Sequence, residues 1–191
     1  RLNEWMADPA SGSDWFELYN PSDEPVALGG LFLTDDLANA TQSPIPPLSF
    51  IGAGPDAWLS FTADGNAGGG ADHVNFSLKK SGEALGVFAA GGTMIDGLKF
   101  GAQTTGVSEG RFPDGAAAVT RFPGTGSPGG SNYLPLPQVV INEVLTHTDP
   151  PLEDAVELYN PTAAPVALGG WYLSNSRSDL KKYRIPDGTT L

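Results

Sequence analysis

The pattern Glu-Leu-Tyr-Asn-Pro, then Pro-Val-Ala-Leu-Gly-Gly, is written twice in this chain, at Glu17–Gly30 and again at Glu157–Gly170. Each copy follows a matching apolar–Asn–Glu triplet, Leu2-Asn3-Glu4 and Ile141-Asn142-Glu143. Self-similarity at this level means that one structural unit is encoded twice. Apolar character recurs at equivalent places: Leu2, Leu18, Tyr19, Val26, Leu28, Phe32 and Leu33 against Ile141, Leu158, Tyr159, Val166, Leu168, Tyr172 and Leu173. These positions are expected to face a shared core.

Short apolar runs cut by Pro and Gly dominate the chain. Leu2–Met6, Trp15–Tyr19, Val26–Leu28, Leu31–Leu33, Ala57–Phe61, Val74–Leu78, Ala84–Ala89 and Met94–Phe100 read as strands. Pro21 stops the second of them, because proline removes a ladder donor. Gly29-Gly30 permits a bend, and Gly91-Gly92 signals a hairpin. No segment holds a helical period, and the 25 Gly and 17 Pro fit many tight turns. The expected fold is all-β, a sandwich.

Composition narrows the function. With 22 acidic against 10 basic residues the net charge is −12, a field that repels phosphate backbones, so no nucleic-acid partner is expected. No cysteine is present, which removes disulfides, thiolate catalysis and thiolate metal sites. No apolar run reaches the roughly 18–20 residues of a membrane span.

Several spaced motifs together carry a family resemblance: Leu2-Asn3-Glu4, Glu17–Pro21, Val26–Gly30, Phe76–Leu78, Ile95-Asp96, Gly110–Gly115 (Gly-Arg-Phe-Pro-Asp-Gly) and Ser127–Gly129. In this order they resemble the lamin-tail domain, bacterial secreted type. The resemblance implies an immunoglobulin-like β-sandwich in tandem. It implies one complete copy over residues 1–134, a stiff linker at 135–138, and the first half of a second copy over 139–191. Counterparts of Trp58–Phe61, Phe76–Leu78 and Arg111–Gly115 are missing from the second copy, so the chain is expected to be a fragment of a longer multi-domain protein.

Two groups of residues could carry chemistry. The first is the recurring carboxylate pair, Glu4 with Glu17 and Glu143 with Glu157. Paired carboxylates serve glycoside hydrolysis when a substrate can enter between them. The alternative, preferred because no pocket residues accompany the pair, is a structural polar network. In it the carboxylates accept hydrogen bonds from backbone or from Arg111 and fix strand register. The second group is Asp35 and Asp36, loop oxygens of the kind calcium selects, without the alternating spacing of a dedicated loop. Neither catalytic nor cofactor-binding residues are assigned. Trp15, Trp58 and Trp171 are expected to pack in the core rather than stack on sugars.

The expected role is therefore a non-catalytic interaction or structural module of an extracellular or cell-surface bacterial protein. Its partners would be a protein, a cell-surface glycan, or other domains of the same longer chain. The competing readings are an accessory domain of a larger extracellular hydrolase or spore-coat-kinase-like protein, and a carbohydrate-binding module.

Overall fold

Two compact units divide the chain, Arg1–Leu134 and Pro135–Leu191. The computed structural model describes residues 1–134, 139–147, 149, 153–177 and 179–191; the expected linker at 135–138 lies outside them.

Apolar alternation interrupted by Pro and Gly gives the first unit its strands: β1 Leu2–Met6, β2 Asp14–Tyr19, β3 Val26–Ala27, β4 Phe32–Thr34, β5 Ser43–Pro44, β6 Phe50–Ile51, β7 Trp58–Ala63, β8 Ala84–Phe88, β9 Met94–Lys99, β10 Val107–Arg111 and β11 Val119–Pro123. A single 3-10 turn, Gly54–Asp56, precedes β7. One sheet runs β11-β10-β1-β2-β7 and the other β5-β4-β8-β9, with β3 and β6 as a separate pair. All pairings between these strands are antiparallel. The result is an immunoglobulin-like β-sandwich.

The inward positions of the two sheets supply the core. Leu2, Trp5, Phe16, Leu18, Leu33, Phe61, Leu85 and Val87 are sealed from solvent. Phe16 stacks on Phe61 and Phe76, with centroids at 5.6 and 5.9 Å, and Trp5 leans on Phe100 at 6.2 Å. Rings in offset contact add to what their area alone contributes.

Val74–Leu78, expected to be a strand, is not one. Its side chains alternate as a strand's do, with Val74, Phe76 and Leu78 buried and Asn75 and Ser77 exposed. Two of its backbone donors, however, go to side chains, Asn75 N to Ser43 Oγ at 3.3 Å and Leu78 N to an Asp14 carboxylate oxygen at 2.9 Å, and Val74 N alone reaches a neighbouring strand, at the Thr62 carbonyl. Only isolated bridges tie this stretch to its neighbours, Thr62 with His73 and Asp64 with Ser77. Val26 also departs from expectation: it is exposed, because β3 pairs at the margin with β6 and not inside either main sheet. Tyr19 is half-buried, tilted against Trp58 at 5.4 Å.

The second unit repeats the local geometry of the first. Its strands are β12 Val140–Leu145, β13 Ala155–Tyr159, β14 Tyr172–Leu173 and β15 Tyr183–Arg184. β12 pairs with β13 as β1 pairs with β2, and the same register shift falls at Asn142 and at Asn3. The Asn-Pro turn is rebuilt atom for atom. Asn20 Nδ2 donates to the Glu24 carbonyl and its Oδ1 accepts from Ser22 N and Oγ; Asn160 makes the same bonds to Ala164 and Thr162. Gly30 and Gly170 take φ of 85° and 86°, a left-handed turn that only glycine adopts without strain.

The core of the second unit is small. Val139, Val166, Leu168 and Ile185 are buried, with Leu158, Trp171 and Leu173 packed against them. Ile141, Tyr159 and Tyr172, expected inside, are exposed. The reason is local: among the described residues no strand covers β12 and β13 beyond their own pairing, so both faces of that ribbon meet solvent.

Candidate functional site

Asn3 stands at the bulge in β1, where one extra residue re-aims the strand. Its Nδ2 donates to Glu17 Oε1 at 3.1 Å and to Asp114 Oδ1 at 2.8 Å, and its Oδ1 accepts from Gly115 N at 2.9 Å. Glu4 and Glu17 are direct cross-strand partners, both sealed at 1% and 0% exposure.

Every carboxylate oxygen of the pair is engaged. Glu4 Oε1 accepts from Ser108 Oγ at 2.5 Å, and Oε2 from Ser127 N and Oγ, both at 3.1 Å. Glu17 Oε1 takes Asn3, and Oε2 takes Gly129 N at 2.6 Å. Asp114 joins from the outside, accepting from Asn132 N and Ser131 Oγ. Together the three carboxylates clamp the segment after β11, from Ser127 to Asn132, onto the edge of β1 and β10.

Burial sets the protonation of the pair. Loss of solvent pushes the Glu17 carboxyl up to about 8; the bonds from Asn3 and Gly129 oppose this, and the charges of Glu4 and Asp114 reinforce it. Glu4 is raised for the same reason, against the pull of Ser108 and Ser127.

Arg111 does not bond Glu4 or Glu17, which corrects that part of the network reading. Its Nε donates to the Leu2 carbonyl at 2.6 Å and one terminal nitrogen to the Ala116 carbonyl at 2.7 Å. The other terminal nitrogen lies 3.4 Å from both oxygens of Asp96. Asp96 belongs to β9 and also accepts from Leu2 N at 2.9 Å. The guanidinium fork therefore ties one sheet to the other, where a single strand-register contact would leave it short of acceptors.

The remaining candidates lie apart. Asp35 and Asp36 line an open cleft with Glu83, Lys79 and Lys99. Asp36 Oδ1 takes Ala38 N at 3.0 Å, and Glu83 pairs with Lys79 at 3.0 Å. Among the described residues no group of three or more His, Asp or Glu is placed to hold a metal ion. His73 Nδ1 lies 2.9 Å from Asp64 at the rim of the glycine-rich loop. Of the tryptophans, Trp5 is sealed, whereas Trp15, Trp58 and Trp171 are half-buried, not fully in the core.

In the second unit Asn142 Nδ2 still reaches Glu157 Oε1 at 2.5 Å, and Glu143 still faces Glu157 across the ribbon. Both glutamates are exposed. Sequence reasoning found the carboxylates and missed what holds them: Asn3, Ser108, Asp114, Ser127, Gly129 and Asn132. The signal was present, because Asn is repeated beside Glu in both triplets and Asp114 and Ser127 lie in motifs already singled out.

A family model described as Lamin Tail Domain matches residues 135–191. No curated protein and no solved structure gives a match to this chain.

Proposed function

With residues 135–191 matched by the lamin tail domain family model, we propose that the chain is a non-catalytic interaction module, repeated along an extracellular or cell-surface bacterial protein that holds other domains. The observation that carries this reading is the sealed carboxylate pair. A glycosidase needs one carboxyl free to protonate a leaving oxygen and another open to the sugar or a water. Here all four oxygens accept bonds from the chain itself and neither residue touches solvent. Such groups hold the fold together and leave no room for a substrate.

A protein partner is favoured over a glycan. The exposed apolar side chains of β12 and β13 are chiefly aliphatic, Val140, Ile141, Val144, Leu145 and Val156, and aliphatic surface packs against protein better than against sugar. The net charge of −12 suits a protein kept soluble outside the cell. Labelling of intact source cells with a membrane-impermeant reagent checks that placement.

The test of the non-catalytic reading is an assay of the full chain on aryl glycosides and cell-wall glycan. No turnover above that of a Glu4→Gln, Glu17→Gln double variant is expected. Hydrolysis by the parent chain that disappears in the variant would overturn it.

A further inference from the structure

The two units build one turn from different residues, and folding does not need the difference. Ile45-Pro46-Pro47-Leu48-Ser49-Phe50 aligns with Ile185-Pro186-Asp187-Gly188-Thr189-Thr190. The backbone path is the same. Ile45 N donates to the Leu31 carbonyl and Ile185 N to that of Trp171; Leu28 N donates to Ser49 and Leu168 N to Thr189. Ala27 faces Phe50, and Ala167 faces Thr190. At the tip Gly188 takes φ 82°, the left-handed region that glycine enters freely. Leu48 takes φ 64° at the same place, a conformation that a Cβ opposes.

Leu48 gains no burial for this strain. Its side chain is 88% exposed, and Phe50, two residues on, is 58% exposed. The turn joins β5 to β6 within the first unit and is flanked by paired strands on both sides, so its exposure belongs to that unit's own fold. Asp-Gly and Thr serve the same turn in the second unit without either apolar group. Backbone strain and open apolar surface held together at one tip mark a contact site, not a folding device.

Shape and charge specify the occupant. On either side of Phe50 lies a shallow apolar hollow, one of about 380 Å3 lined by Ala27, Pro47 and Leu48, the other of about 390 Å3 lined by Ile45, Leu59 and Phe61. Two hollows about one ridge suit aliphatic side chains repeating along one face of a helix. No basic residue lines either hollow, and exposed Asp72 stands at the rim of the second. Asp56, also exposed, lies against Gly52 just past β6. From Leu2 to Leu78 the sequence holds eleven Asp and Glu and no Lys or Arg, so the field here draws a cationic partner and opposes a second copy of this chain.

Resting on the interaction-module reading, we propose that Leu48 and Phe50 are the apolar anchors of a docking site for a basic amphipathic helix of another protein. Its aliphatic side chains enter the hollows beside Phe50, Leu48 packs on its apolar face, and its flanking Lys and Arg meet Asp56 and Asp72.

The probe is a fluorescent Leu/Lys peptide of about 18 residues, five helical turns, with its leucines on one face. It is titrated with the full chain and followed by anisotropy. Saturable binding is expected. Leu48→Gly with Phe50→Thr, which installs the second unit's residues, should weaken it at least tenfold. A peptide of the same composition with scattered leucines should bind at least tenfold more weakly. The urea midpoint of the first unit in the double variant should match or exceed the parent's, because glycine relieves the left-handed strain. A structural role for Leu48 would lower both readouts together.

Absence of binding at the highest peptide concentration overturns the proposal, as does equal binding by the double variant or by the scattered peptide. A lower urea midpoint in the variant also overturns it, by showing that Leu48 serves the fold. Self-association of the parent chain that the variant lacks would make a second copy the occupant, and pelleting of the parent with phosphatidylcholine vesicles would make it a membrane; either result sinks the proposal. Glycoside turnover is measured without the peptide, so the two readings fail separately.

Discussion

Glu17 shows how a single carboxyl can report on the whole clamp. Its folded value of about 8 lies above the ordinary 4.5, so the folded state holds the proton more tightly than the unfolded chain. The stability it contributes is fully present below about pH 4.5 and is lost as pH rises through 8. The urea midpoint of the first unit is expected to fall between pH 5 and pH 9. Glu17→Gln should flatten that slope, leaving the part that Glu4 contributes. A midpoint that rises over this range would contradict the assignment. Arg111 makes the complementary case. Arg111→Ala leaves Asp96, part-buried in β9, with only the backbone N–H groups of Leu2 and Gly97 as partners; breaking a fully buried pair costs about 3–5 kcal/mol, and this part-buried one is expected to cost somewhat less. Arg111→Lys should recover only part of this in urea titration, because an ammonium cannot span the Leu2 and Ala116 carbonyls as the fork does.

Elements are held by close approaches as much as by pairing. Gly82 leads into β8 at φ 98°, and a Cβ there would meet the Phe100 carbonyl at 2.5 Å. Gly82→Ala combines left-handed backbone strain with a clash against the main chain, and is expected to destabilise by about 1–3 kcal/mol. In β2 the alternation of faces sets two different outcomes. Phe16→Ala empties a sealed site between two rings and should cost about 3–5 kcal/mol, whereas Tyr19→Ala, half-buried at the strand end, should cost less. Equal losses in a denaturant series would show that the burial difference between these neighbours is wrong. Asp36 caps its own loop at Ala38 N, Glu83 across the cleft is paired with Lys79, and among the described residues no group of three carboxylates or histidines is placed to hold an ion, so EDTA is expected to leave the melting curve unchanged.

At the scale of the molecule the two units differ in what they can stabilise alone. Residues 1–134 enclose a continuous core between two sheets, and as an isolated polypeptide should unfold in one cooperative step. Among the described residues of 135–191 four apolar side chains are buried with three more leaning on them, which is little to set against the entropy of ordering the chain. Followed by Trp171 fluorescence, that piece alone should show a shallow transition with a small dependence on urea. A steep one would mean that the open ribbon is not a deficit.

Most strand positions, the turns and the repeat were readable from residue order, because Pro, paired Gly and period-two apolarity act within a few residues of where they stand; Val74–Leu78, which forms no strand, and β10 and β11, which were not anticipated, are the exceptions. The Asn3 bulge and the Asn20 turn belong to this class, and their rebuilding at Asn142 and Asn160 follows from the shared Asn-Glu and Asn-Pro steps of the local sequence. Burial of the repeated side chains was not readable in the same way. Leu2 and Ile141 are both followed by Asn-Glu in the chain and have opposite exposures, since what covers Leu2 comes from residues far along the sequence. The partner of Arg111 was hidden for the same reason: Asp96 is on the opposite sheet, and only packing of the two layers brings it within reach. Local order determined what each strand is; the long-range closure of the sandwich decided whether its carboxylates and apolar side chains are sealed or exposed.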